Sequence, residues 1–230
     1  MPAIRLITID LDDTLWPCDP TIMAAEQAHF AWIRCNAPRV ASRFDQAGLR
    51  DHRIGLRKRR PDIAHDLTAL RLASLQELLT AFGYPAELAE QAMEHFLRHR
   101  NRVTPYADVP PLLRSLAVDH CLVSVTNGNA DVERTPLRGH FHHSYRAEDV
   151  GAAKPHPALF EAALQACNVG VAEAVHLGDD PLLDVEAARR FGMRTIWVNR
   201  FGRHWPEELE PPDAEVCDLH EFIVWLEETV

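Results

Sequence analysis

CxxC motifs, long apolar runs and an excess of positive charge are all missing from this chain of 230 residues. Its five cysteines (Cys18, Cys35, Cys121, Cys167 and Cys217) are odd in number and scattered, and no two form a CxxC pair. That pattern argues against a zinc site or a disulfide scaffold, and reduced intracellular thiols are expected. No apolar run approaches the ~20 residues that span a bilayer, so no membrane partner is expected. The N-terminus enters an apolar strand almost at once, without a basic stretch leading into an apolar run of about 7–15 residues. No signal peptide is expected, and the expected location is the cytoplasm. A formal net charge of −10 argues against a general binder of nucleic acid or acidic membrane. Fixed-period repeats and low-complexity segments are lacking too, and the Pro/Glu-rich turn from Pro206 to Asp213 is the one piece expected to be disordered.

What remains is ordinary globular material, 47% hydrophobic and 25% charged, long enough to bury a real core. Its texture changes twice. From about Thr21 to Arg102 glycine is sparse, no strand is evident, and Leu67, Leu70, Leu75, Leu78 and Leu79 recur at helix-face intervals. Pro38, Pro61 and Pro85 fall where helices should begin. About four helices are expected here. Beyond Thr104 strands alternate with helices: strands at His120–Val125, Ala174–Leu177 and Thr195–Val198, helices at Pro157–Cys167, Leu183–Phe191 and Leu219–Glu228. Such alternation implies a doubly wound parallel α/β sheet. The expected domains are an α/β core, residues 1–18 and 104–230, split by a helical insertion at 19–103.

The chemistry gathers at expected strand ends. Ile7-Thr8-Ile9-Asp10-Leu11-Asp12-Asp13-Thr14 is an apolar run closing on two carboxylates spaced i, i+2, which project to the same side of a strand. Open α/β sheets bind ligands at these ends. Two bare carboxylates so close repel unless a cation lies between them or one holds a proton. The pair therefore suits a divalent ion and a division of labour between nucleophile and acid–base. Next, Leu122-Val123-Ser124-Val125-Thr126-Asn127-Gly128 ends in a hydroxyl and a glycine-containing turn, the makings of a concave anion site or of a plain strand-ending turn. Lys154 stands just before a helix, stiffened by Pro155 and Pro157. Finally Val175-His176-Leu177-Gly178-Asp179-Asp180 closes another strand on acids, with Asp184 following. Carboxylates clustered there suit magnesium, a hard ion. Asp180 and Asp184 are open to two readings, capping the following helix or supporting the metal from behind.

In this order, DxDxT, a strand ending Thr-Asn, a lysine before a helix and GDxxxxD resemble the four motifs of the haloacid dehalogenase-like hydrolase superfamily. The resemblance spans the whole α/β portion and implies that superfamily's Rossmann-like core. The helical insertion resembles its type-one cap, and Asp184 to Met193 looks like the subgroup of small-molecule phosphatases. The resemblance implies Asp10 as nucleophile and Asp12 as acid–base. It implies Mg2+ held by Asp10, Asp179 and the Asp12 backbone carbonyl, with Thr126, the backbone near Asn127, and Lys154 on the phosphoryl oxygens. Asp62-Ile63-Ala64-His65-Asp66-Leu67-Thr68 with Arg71, and Thr126 to Ala130, resemble a bacterial branch acting on flavin mononucleotide and on 5-amino-6-(5-phospho-D-ribitylamino)uracil. A small phosphorylated metabolite is then the expected partner. Two rivals stand: a 2-haloacid dehalogenase, whose relatives usually lack an acid at the Asp12 position, and a non-catalytic metal- or phosphate-binding module.

His65, Asp66 and Arg71 are candidates for reading the leaving group. Trp16 is either a hinge residue packed beneath the cap or an aromatic wall for a planar substrate. The basic run Arg53, Arg57, Lys58, Arg59 and Arg60 lacks interleaved aromatics, so a solvated helix end is expected rather than a nucleic-acid surface. His95 and His99 are expected as a surface pair, and His140, His142 and His143 as loop histidines.

Overall fold

The computed structural model describes residues 3–229. Six parallel strands form one sheet: β1 (Leu6–Ile9), β2 (Cys121–Thr126), β3 (His143–Arg146), β4 (Ala174–Gly178), β5 (Arg194–Val198) and β6 (Ala214–Val216). Their spatial order is β3-β2-β1-β4-β5-β6. Ile7 lies opposite Leu122 on one side and Val175 on the other, and Ile9 opposite Ser124 and Leu177. Chain order thus reverses at β1, where doubly wound sheets open a crevice beyond the carboxyl ends of their strands. Every residue of β1 and β4 is buried. Parallel sheets are covered on both faces, which is why these strands read as continuous apolar runs.

The chain divides into two compact units. One takes the chain through Pro17, then Thr104–Gly128, then everything from Val132 onward; the other is Cys18–Val103 with Asn129–Asp131. The second unit contains α1 (Cys18–Asn36), α2 (Pro38–Ala41), α3 (Gln46–Arg59), α4 (Leu67–Ala81) and α5 (Leu88–Arg100). Ile33, Leu49, Leu75, Leu79 and Ala92 meet in its core. Asp45 and Asp66 cap α3 and α4, each accepting a backbone N–H at 2.7 Å, a device that contributes about 1 kcal/mol per helix.

The α/β unit adds α6 (Val109–Leu116), α7 (Ala147–Val150), α8 (Ala158–Cys167), α9 (Ala187–Phe191) and α10 (Leu219–Thr229). Leu6, Val123 and Val125 pack against Leu159, Phe160 and Ala163 of α8. No helix among the described residues is long and apolar enough to cross a membrane.

Four expectations need correction. Cys121 and Cys167 form a disulfide, because the start of β2 and the end of α8 bring their Cα atoms to 6.3 Å across 46 residues of sequence. Cys18, Cys35 and Cys217 form no disulfide among the described residues. His143 opens an edge strand, β3, rather than lying in a loop. The Pro206–Asp213 turn is fixed, with Leu209 N–H bonded to the Pro206 carbonyl and the Asp213 carboxylate accepting Thr195 N–H at 2.7 Å. The helix expected from Leu183 begins instead as a wide π-helical turn, Pro181–Glu186, and tightens only at α9.

Candidate active site

Asp10 is the first residue beyond β1, its N–H still bonded to the Leu177 carbonyl at 2.9 Å. Its side chain therefore stands at the reversal of strand order. Lys154 reaches it from the far side of β2. Asn127 clamps the Lys154 backbone twice, accepting from its N–H at 2.6 Å and donating to its carbonyl at 2.9 Å. The buried ammonium then donates to Asp10 Oδ1 at 2.6 Å, Asp184 Oδ1 at 2.5 Å and the Val125 carbonyl at 3.0 Å. All three of its protons are engaged. Direct phosphate contact by Lys154 thus requires an exchange of partners, and the Asn127 amide is committed to the lysine, leaving that residue's backbone for an anion. Thr126 Oγ1 accepts the Gly128 N–H at 3.0 Å and shapes the turn.

The π-helical turn sends Asp184 back against β4. A Cβ on Gly178 would lie 2.3 Å from Asp184 Cγ, so only glycine admits this approach. Asp184 Oδ2 accepts the Asp180 N–H at 3.0 Å, while Oδ1 meets Lys154 and, at 3.3 Å, His176 Nε2. His176 in turn pairs with Thr8 Oγ1 at 2.9 Å. Capping is seen for Asp180, while the Oδ1 contacts of Asp184 go to Lys154 and His176. Asp180 caps the turn, accepting from Leu182 and Leu183 N–H at 2.8 Å each, and Asp184 supports the lysine. Asp179, at the end of β4, pairs through Oδ2 with the half-exposed Arg203 at 2.8 Å.

Trp16 is fully buried and its indole N–H donates to Asp12 Oδ1 at 2.9 Å. It is not an aromatic wall, because its ring has no exposed face to offer a substrate.

Burial raises the Asp10 carboxyl well above the ordinary carboxylate range; Lys154 opposes this, and Asp184 and Asp179 add to it. Burial and then repulsion from Asp184 lift Asp179 to about 6. Burial works against the charge of Asp184 too, but Lys154 and His176 hold that carboxyl well below its usual range. The cleft these residues line, of about 230 Å³, presents six carboxylates (Asp10, Asp12, Asp13, Asp179, Asp180, Asp184) against the single ammonium of Lys154. Oxygens of Asp10, Asp179 and Asp184 lie within 4.8 Å of one another. A divalent cation fits this oxygen-only donor set, and a phosphate dianion entering without one would meet net repulsion.

The helical unit has its own cavity of about 840 Å³, lined among others by Glu26, Phe30, Arg50, Arg53, Arg71 and Phe96. Arg71 is buried, forms two hydrogen bonds to Glu26 at 2.7 and 3.1 Å, and stacks 3.5 Å over the centre of the Phe96 ring. Asp66 is committed to capping α4, and neither it nor His65 lines this cavity. The three cap candidates are therefore not one cluster. Arg53 pairs with Glu26 and Arg59 with Glu77, while Arg60 bonds Asp62. His95 and His99 lie side by side with ring centres 4.8 Å apart and planes tilted by 43°.

Residues 4–192 match the family model described as haloacid dehalogenase-like hydrolase. The chain belongs to this family. It is 33% identical over 199 residues to the 5-amino-6-(5-phospho-D-ribitylamino)uracil phosphatase of Escherichia coli, covering 85% of this chain and 83% of the relative. It is 38% identical over 160 residues to a phosphoserine phosphatase of Thermus thermophilus, covering 65% and 62%. A solved structure described as a 2-haloacid dehalogenase from Pseudomonas syringae superposes with a TM-score of 0.92 at 38% identity, covering 99% of this chain and 100% of that one.

Within this family frame, two site residues, His176 and Arg203, had not been singled out from sequence. His176 carried a signal: a lone histidine in a strand otherwise apolar and buried. Arg203 and the hydrogen bond of Trp16 carried none, since both depend on loops folding back onto strand ends.

Proposed function

We propose that this hydrolase is a magnesium-dependent phosphatase of a small phosphorylated metabolite, working through an aspartyl-phosphate on Asp10. The observation that carries the reading is the pairing, in one small acidic cleft, of Asp10 held by Lys154 with Asp12, a second carboxylate held by a different donor. With Oδ1 of Asp10 engaged by Lys154, Oδ2 attacks phosphorus as the bond to the leaving oxygen breaks. Asp12 gives that oxygen its proton. Asp12 then takes a proton from water, whose oxygen bonds to phosphorus as the Asp10–phosphate bond breaks. Lys154 offsets charge on Asp10, and Asp184 and His176 keep the lysine in place. Asp10, Asp179 and the Asp12 backbone carbonyl would hold the magnesium ion, which supplies neutralisation of phosphate charge.

The favoured substrates are 5-amino-6-(5-phospho-D-ribitylamino)uracil, the substrate named for the Escherichia coli relative, and flavin mononucleotide. Both carry phosphate on a ribityl chain leading to a planar heterocycle. Dehalogenation is the second reading, favoured by the Pseudomonas syringae likeness. A departing halide takes no proton, so the Asp12 acid would be idle in that reaction. A panel of phosphomonoesters and 2-haloacids, each with magnesium and with chelator, separates the two. Phosphate release that stops in chelator and returns with magnesium is expected, with the two ribityl phosphates highest in kcat/KM. Chelator-resistant turnover of 2-chloropropionate, with none of the esters, would replace this reading by the second.

A further inference from the structure

We propose that Trp16 is the positioning residue for Asp12, acting through its indole N–H; the inference rests on the phosphatase reading above. After β1 the chain doubles back on itself. Asp13 takes the left-handed conformation, φ 58°, its N–H bonds the Trp16 carbonyl at 2.7 Å, and Leu15 N–H bonds the Leu11 carbonyl at 2.8 Å. Asp12 and Trp16 face each other across this fold as a bridged pair. A left-handed residue other than glycine, asparagine or aspartate would be strained there, so the acid at position 13 helps make the reversal.

The indole is among the largest fully buried side chains of the protein. A buried tryptophan needs an acceptor for its one N–H. This one uses Asp12 Oδ1, at 2.9 Å, rather than a carbonyl. Two consequences follow for the carboxyl. Its side chain is held to one orientation by a rigid ring that cannot itself move, and a donor already occupies Oδ1. The carboxyl that gives its proton to the leaving group and later takes one from water is thereby oriented from the side of Oδ1. An acid that must both give and take a proton at the same place gains from such fixing, because misplacement by about 1 Å can cost 10²-fold in rate.

Packing alone would also bury a tryptophan here, so the test removes the N–H and keeps the ring. Trp16→Phe, and replacement of Trp16 by 3-benzothienylalanine (the same shape with sulfur in place of N–H), are assayed on an alkyl phosphate and on 4-nitrophenyl phosphate. The alkyl ester needs a proton for its leaving oxygen, and the activated aryl ester needs far less. Both variants should lose kcat on the alkyl ester on the order of tenfold, several-fold more than on the aryl ester, with KM moving little. In an Asp12→Asn background the same changes at position 16 should add nothing to the loss on the alkyl ester. Equal losses on the two esters, no loss at all, or full additivity with Asp12→Asn would overturn the inference and leave the phosphatase reading standing. A parent enzyme inactive on both esters would overturn the reading itself, and this inference with it. Should Trp16→Phe fail to fold, the benzothienyl variant decides alone.

Discussion

Glu26 and His29, one turn apart on α1, face the same buried guanidinium, which lowers the pKa of both and so keeps one charged and the other neutral. Burial opposes the charge of Glu26, yet Arg71 and Arg53 bring its carboxyl down to about 2. Burial, reinforced by Arg71, presses the His29 imidazole down to about 3, so the ring stays neutral, its Nδ1 bonded to the Ala92 carbonyl at 3.2 Å. The stability that each confers is present at neutral pH and lost on acidification, but in different windows. The unfolded chain protonates His29 near the ordinary histidine value of about 6.5 while the folded one resists to about 3, so the loss begins below about 6.5. Glu26 contributes its loss only from about 4.5 down to about 2. Between pH 6.5 and 5 the histidine acts without the glutamate, and should cost roughly 2 kcal/mol by pH 5. Thermal unfolding of the wild type should weaken over that window, and His29→Asn, which keeps a donor for Ala92, should flatten the decline by about that amount. A variant that declines in parallel with the wild type would place the acid sensitivity in other groups. None of this layer was legible in the sequence. Glu26 and His29 were not singled out there, and Arg71 stood as a candidate for reading the leaving group, because pairing across helices leaves no local pattern.

At the scale of elements, the π-helical turn after β4 carries the arrangement around Lys154. Gly178→Ala should push Asp184 off its place, since no Cβ fits 2.3 Å from its Cγ. Overpacking of that kind costs about 1–3 kcal/mol, and the displaced carboxylate would release one of the three bonds fixing Lys154. Turnover should fall on the order of 10²-fold while circular dichroism still reports the fold. Near-normal kcat would show that Asp184 does not hold the lysine. The central strands were legible because both faces are covered, so β1, β2 and β4 appear as mainly apolar runs. The edges were not. β3, His-Ser-Tyr-Arg, and β6, only three residues long, flank the sheet and have little apolar character. The helix following Asp180 was legible in extent but not in its wide first turn, since sequence period does not register where a carboxylate must fold under a glycine.

Across the whole molecule, the reversal of strand order at β1 explains why residues as far apart as Asp10, Lys154 and Asp179 line one cleft. That much follows from strand-end acids and the rule for where such sheets bind ligands. What sequence reasoning did not reach is the commitment of individual side chains: Asn127 to the lysine backbone, Trp16 to Asp12. Each depends on a loop whose conformation no periodicity records. The central claim is that Asp10 forms a covalent bond to phosphorus. Its most direct test is a reaction with a phosphomonoester and magnesium, acid-quenched before steady state, reduced with borohydride and mapped by peptide mass spectrometry. An aspartyl-phosphate is reduced to homoserine, whereas a free carboxylate is not. The account predicts homoserine at position 10 of the wild type, and none in Asp10→Asn, which should not turn over. Homoserine at another aspartate, or its absence while alcohol is released in a burst, would contradict it.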